Sequence, residues 1–323
     1  MLHIANDKKL IMQSASTILM IKPTGFRFNE ETAVNNYYQK VLDGVSASQV
    51  QNWALREFDT FVALLRSKAI DVVVIEDTIE PSTPDSIFPN NWISFHQDGR
   101  VGLYPMCAEN RRLERREDVL TKLQEEHEFF VSDVVDFSHY EQQQLFLEGT
   151  GSMLLDRVNR IAYAALSLRT DVKVLEDFCS HFNYQAVTFI SNQSVGIERL
   201  PIYHTNVMMC LADEFVILCA DTIDDEIERK VLIKQLEATG KEIIYITEAQ
   251  KHRFAGNMLQ LSSKTGVKYL VMSSSAHKAL NTSQIDQIEK HCQILSSSLD
   301  TIEACGGGSA RCMMAEIFLP KTV

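Results

Sequence analysis

The chain has 323 residues, 45% of them hydrophobic and 23% charged, which is enough apolar material for a large core and the wrong composition for disorder. A net charge of −12 at pH 7, with no long Lys/Arg stripe, excludes a binder that works by neutralising nucleic-acid phosphates and offers no basic face to a membrane. The seven cysteines at 107, 179, 210, 219, 292, 305 and 312 form no CxxC pair and no Cys/His group at zinc spacing, which argues against a disulfide framework or a structural metal.

In chain order, the N-terminus lacks a basic segment followed by an apolar core and a cleavage site, and no apolar run approaches about 18 residues. The expectation is a protein of a reducing cytoplasm, with no membrane partner. Short apolar, β-branched runs at 17–21, 71–75, 92–95, 101–104 and onward to 313–319 predict strands. Stretches of helical period at 50–68, 110–127, 171–182, 224–239 and 283–292 lie between them. Their alternation predicts an α/β class. Within 110–127, Arg111, Arg112, Arg115 and Arg116 interleave with Glu114 and Glu117, a pattern that reads as a solvated helix face.

Five segments share one form, in which polar or small residues lead directly into an apolar strand: FPNNWISF, FLEGTGSMLL, IYHTNVMMCL, FAGNMLQL and GGGSARCMMAEIF. Their markers Asn91, Glu148, His204, Asn257 and Cys312 are separated by 57, 56, 53 and 55 residues. A period so nearly constant implies one supersecondary unit used five times. Because each unit carries a helix, an all-β propeller blade fits poorly. The natural architecture is a single domain over 1–323, a ring of five ββαβ-like units whose strand starts face one central cavity.

The FPNNW segment, the LEG at 147–149, the His-x-Asn at 204–206 and the glycine-rich run ending at Cys312, in this order, resemble the pentein or guanidino-modifying superfamily. That superfamily includes arginine deiminases, dimethylarginine hydrolases and amidinotransferases, and the chain looks most like its bacterial citrulline-utilisation hydrolase branch. The resemblance implies a pentein α/β-propeller, a cofactor-free cysteine hydrolase, and Cys312, His204 and Glu148 as its catalytic residues.

The chemistry suits those residue types. A ureido or guanidino carbon is a poor electrophile, and a thiolate nucleophile divides its hydrolysis into two easier steps. His204 would supply a neighbouring imidazolium, protonate the departing amine and then activate water, with Glu148 orienting the ring. Gly306, Gly307 and Gly308 suit a tight approach to the catalytic strand. Cys305, Cys210 and Cys219 read as packing residues.

Arginine deiminases, which the chain resembles, carry aspartates where this sequence has Asn91 and Asn206. Amides in place of those carboxylates remove the partners of a buried guanidinium and suit a neutral ureido group, which both donates and accepts hydrogen bonds. The expected substrate is citrulline, cleaved to ornithine, carbon dioxide and ammonia. The competing reading retains arginine or a methylated arginine through Asp85, which could otherwise hold the substrate α-ammonium. Arg169, and Arg111 or Arg112, resemble the family's carboxylate-binding arginines. Asn257 continues the pattern as a backbone brace. Amidinotransfer to an amine acceptor and a non-catalytic binding factor on the same fold are the rival functions. The sequence leaves homo-oligomerisation open.

Overall fold

Residues 11–322 are described by a computed structural model; the reading of an absent leader bears partly on residues 1–10, which lie outside the described residues. The predicted alternation of strands and helices is present, so the molecule is mixed α/β. Its strands form five three-stranded sheets and one two-stranded hairpin among the described residues.

Four sheets repeat one plan, an antiparallel pair followed by a parallel neighbour. They are built from Ile93–Phe95, Arg100–Leu103 and Asp133–Asp136; Leu154–Asp156, Ile161–Leu166 and Gln185–Ile190; Met209–Leu211, Phe215–Leu218 and Glu242–Tyr245; and Leu259–Ser262, Lys268–Ser273 and Gln293–Ser297. The fifth sheet follows the same plan with strands from distant parts of the chain. Ala315–Glu316 pairs antiparallel with Thr17–Lys22, which runs parallel to Asp71–Glu76. A parallel neighbour demands a crossover, and helices supply it.

The longest helix, Ala47–Ser67, buries Val50, Ala54, Phe58, Phe61, Val62 and Leu65 at helical spacing. Ser46 caps its first turn in a reciprocal arrangement with Gln49, a cap worth about 1 kcal/mol. Asp171 caps Val172–Phe182 by accepting the Lys173 N–H, and Asp225 caps Glu226–Ala238 by accepting the Ile227 and Glu228 N–H groups, each without a reciprocal bond. Truncating Phe58 or Phe61, both fully buried, would cost about 3–5 kcal/mol.

Two expected elements differ in extent. The helix predicted over 110–127 is divided into Glu109–Arg112 and Glu117–Glu125, because Arg111 and Glu114 turn inward as a buried ion pair. The solvated-face reading is therefore wrong for Arg111. The strand predicted over 313–319 pairs only at Ala315–Glu316, since Cys312, Met313 and Met314 are spent on a turn that returns their N–H groups to Ser309, Ala310 and Arg311.

The turns that open the strands touch in succession. Thr150 Oγ1 donates to the Asn90 carbonyl at 3.3 Å, and Thr205 Oγ1 donates to the Ser152 carbonyl at 2.5 Å. The Asn257 amide donates to the Asn206 carbonyl at 3.1 Å and accepts from the Arg311 N–H at 3.1 Å. Ala315–Glu316 packs beside Ile93–Phe95. These contacts gather five polar strand entrances while the strands themselves enter apolar clusters.

Candidate active site

Glu148 ends the loop before the short helix Gly149–Ser152 and is fully buried. Its Oε2 lies 2.7 Å from His204 Nε2, and its Oε1 accepts from the Cys107 N–H at 3.0 Å. The two turns can approach this closely because residue 151 is glycine: a Cβ there would stand 2.2 Å from Asn91 Nδ2 and 2.9 Å from His204 Nδ1. Engagement of Nε2 with Glu148 leaves Nδ1 as the ring nitrogen available to a reactant.

Cys312 lies at the end of the Ser309–Cys312 turn and is 6% exposed. Its sulfur receives two amide N–H groups, from Asn257 Nδ2 at 3.2 Å and Asn206 Nδ2 at 3.5 Å. His204 and Cys312 line one cavity together with Asp85, Asn91, Arg111, Arg169 and Tyr203. Gly307, at φ +62°, ends the helix Asp300–Gly306 and turns the chain toward this cavity, and its carbonyl accepts from Tyr203 Oη at 2.8 Å.

Electrostatics separate the members. Burial alone would raise the Glu148 carboxyl, but Arg169, the His204 hydrogen bond and Arg111 outweigh it and hold it below the usual carboxylate range. Burial pushes His204 down to about 4, against the opposing pull of Glu148. Burial thus favours the neutral imidazole, a base able to accept a proton, while Glu148 favours the imidazolium.

The two arginines are held differently. Arg111 makes a bidentate pair with Glu114, Nε and Nη2 each at 2.9 Å, while Nη1 donates to Asn91 Oδ1 at 3.0 Å and Nη2 to the Phe88 carbonyl at 3.3 Å. Arg169 reaches Glu148 Oε2 through Nη1 at 3.4 Å and the Thr32 carbonyl through Nη2 at 3.1 Å. It also bonds Asn35. Its Nε has no partner among the described residues.

Asp85 is buried, and Oδ2 accepts from Asn29 Nδ2 at 2.7 Å and Thr32 Oγ1 at 3.1 Å. Its Oδ1 has no partner among the described residues. Burial raises its carboxyl despite Arg111 nearby.

Every sequence-nominated site residue except Arg112, which bonds the Met106 and Cys107 carbonyls, thus falls in one neighbourhood, although Asn206 and Glu148 stand behind the cavity lining. Several participants had not been singled out. Glu114 neutralises Arg111, and burial pushes its own carboxyl up to about 7. Thr32 and Asn36 also line the cavity. Glu114 had a visible signal in its three-residue spacing from Arg111; Thr32 and Asn36 had none.

Residues 22–319 match the family of eukaryotic N,N-dimethylarginine dimethylhydrolases. The chain belongs to this family. It is thereby a member of the pentein superfamily that its motifs resemble.

Solved structures agree in fold. The apo form of ArgZ, an arginine dihydrolase from the ornithine-ammonia cycle in cyanobacteria, has a TM-score of 0.71 at 17% identity, over 95% of this chain and 41% of that one. This chain therefore spans about two fifths of the full-length cyanobacterial enzyme. AgrE with ornithine and NAD+ gives 0.69 at 18% identity, covering 95% of this chain and 40% of its own. A dimethylarginine dimethylaminohydrolase adduct with S-methyl-L-thiocitrulline gives 0.59 at 13% identity, covering 94% and 100%. No curated protein sequence matches. Among the described residues no helix is long and apolar enough to cross a membrane.

Proposed function

We propose that this chain hydrolyses the ureido C–N bond of citrulline to ornithine, carbon dioxide and ammonia, with Cys312 as nucleophile, His204 as proton carrier and Glu148 as its orienting carboxylate. The observation that carries the reading is the 2.7 Å Glu148–His204 pair on the same small cavity as Cys312, where amides occupy positions 91 and 206. His204 takes the thiol proton as Sγ attacks the ureido carbon. The bond to the substrate's side-chain nitrogen breaks, and that nitrogen receives the proton and leaves as ornithine. Water, deprotonated by His204, then cleaves the S-carbamoyl group to carbamate, which decomposes to carbon dioxide and ammonia.

Asp85 Oδ1 and Arg169 Nε, both buried and unpartnered, suit an α-ammonium and an α-carboxylate respectively. Arg111 is committed to Glu114 and Asn91, so in this reading it fixes the Asn91 amide and retains one Nη1 N–H for substrate. The site belongs to a single domain, 1–323, whose five sheets close as a ring. The pairing of Ala315–Glu316 with Thr17–Lys22 and the turn-to-turn hydrogen bonds support that closure. The free cysteines suit a reducing cytoplasm.

A second reading has one specific support. Asp85 Oδ1 could receive a guanidinium instead of an ammonium, making arginine or dimethylarginine the substrate, as the names of the family and of ArgZ suggest. Ornithine, citrulline and ammonia are measured after incubation with citrulline, arginine and dimethylarginine. The proposal expects ornithine from citrulline and little product from arginine. Rapid conversion of arginine to citrulline, without ornithine from added citrulline, refutes it.

A further inference from the structure

Asn257, the marker that the five-fold pattern places without an evident chemical duty, makes contacts that a brace alone does not require. Its carboxamide is buried, 1% exposed. Oδ1 accepts from the Arg311 N–H at 3.1 Å, and that contact fixes which end of the amide is which, because a backbone N–H needs the oxygen. Nδ2 is consequently the end that faces the Asn206 carbonyl at 3.1 Å and Cys312 Sγ at 3.2 Å. One N–H holds the neighbouring turn and the other meets the sulfur. A second N–H reaches the same sulfur from Asn206 at 3.5 Å.

We infer that Asn257, assisted by Asn206, is the built-in stabiliser of the Cys312 thiolate. A thiolate accepts hydrogen bonds more strongly than a thiol, so two convergent amide donors favour the ionised form. The neighbouring base is engaged elsewhere, since its Nε2 is bound to Glu148 and burial favours its neutral form. Proton removal and charge stabilisation are thus divided between different side chains: the imidazole takes the proton, and the amides hold the sulfur that remains. Asn257 is outside the lining of the substrate cavity, so its effect falls on the nucleophile and not on substrate affinity.

The inference rests on Cys312 being the nucleophile, and its test needs no substrate. The rate of Cys312 alkylation by iodoacetamide is followed by peptide mass spectrometry at pH 7 and pH 10, and the ratio of the two rates reports the thiolate fraction at neutral pH. Asn257→Ala withdraws the donor from the sulfur without adding a charge beside it, and the Arg311 contact goes with it. It is expected to lower the ratio about tenfold, leaving the rate at pH 10 within about twofold of the native protein. A residue that merely braced the turn would move both rates together or neither. An unchanged ratio in a variant with native circular dichroism overturns the inference.

Should Asn257→Ala not fold, Asn206→Ala carries the same readout. It removes the longer donor, breaks no contact with Arg311, and is expected to lower the ratio about threefold; no change there overturns the inference as well. Failure of the underlying reading is seen separately, as hydrolysis that survives in Cys312→Ser.

Discussion

Cys210 and Cys312 stand near the same strand-opening region of two sheets built on one plan, and the molecule treats them differently. Cys210 lies inside Met209–Leu211, walled by apolar side chains, and burial pushes its thiol up to about 12. Cys219, just past Phe215–Leu218, and Cys179, on the helix Val172–Phe182, are pushed to about 12 by the same cause. Cys312 sits one turn earlier in its unit, where two amides converge on the sulfur and a carboxylate-bound imidazole lines the same cavity. In the proposed reading, reactivity is set by position relative to the strand. The strand buries; the turn before it exposes chemistry.

The comparison breaks most visibly at the sulfur. Cys312→Ser is expected to reduce citrulline hydrolysis by about 10⁴-fold or more, whereas Cys210→Ala leaves turnover within about twofold and costs only packing. Steady-state ornithine release compares the two, and comparable losses would erase the distinction. Next in size is Glu148→Gln, which keeps the shape but removes the charge beside His204. It is expected to lower kcat by about 10²- to 10⁴-fold with little change in KM. A rise in KM with kcat intact would make Glu148 a substrate ligand instead.

How much of this was legible in the sequence follows from the same contrast. A polar cluster running into an apolar strand is a local pattern, so the five entrances could be read and their 53- to 57-residue spacing measured. Contacts across units were not local. The Asn257 amide meets a sulfur 55 residues later in the chain, which no period reveals. Arg111 and Glu114 were misread because an ion pair at i,i+3 has the same spelling on a wet helix as in a buried elbow. Thr32 and Asn36 were missed because the segment that carries them has no repeating pattern to mark which side chains face inward.

A smaller effect sharpens the specificity side. Asn91→Asp combined with Asn206→Asp should shift the ratio of kcat/KM values about tenfold toward arginine. The shift is limited because a carboxylate at 91 would pair with Arg111, and one at 206 would face the thiolate. Competition between labelled citrulline and arginine measures it, and an unaltered ratio removes the amides from substrate choice.

The smallest effect lies in the structure that carries the glycine turn. Glu303 accepts from Ser309 Oγ at 2.6 Å, and burial raises its carboxyl from 4.5 to about 7. The folded state therefore holds this proton more tightly than the unfolded chain, so its contribution to stability is fullest below pH 4.5 and declines as pH rises toward 7. Glu303→Gln should flatten that decline, read as a smaller drop in Tm between pH 5 and pH 7. A Tm profile parallel to that of the native protein would mean that the carboxyl titrates normally.

The central claim is that residues 148, 204 and 312 act as one site with Cys312 bearing the intermediate. Rapid acid quenching of the enzyme during citrulline turnover, followed by peptide mass spectrometry, tests it most directly. The account predicts a carbamoyl group on the peptide containing Cys312, gained in the native enzyme and accumulating further when His204→Asn slows its hydrolysis. A carbamoyl group on another cysteine, or ornithine formed at the native rate by Cys312→Ser with no adduct at all, would contradict it.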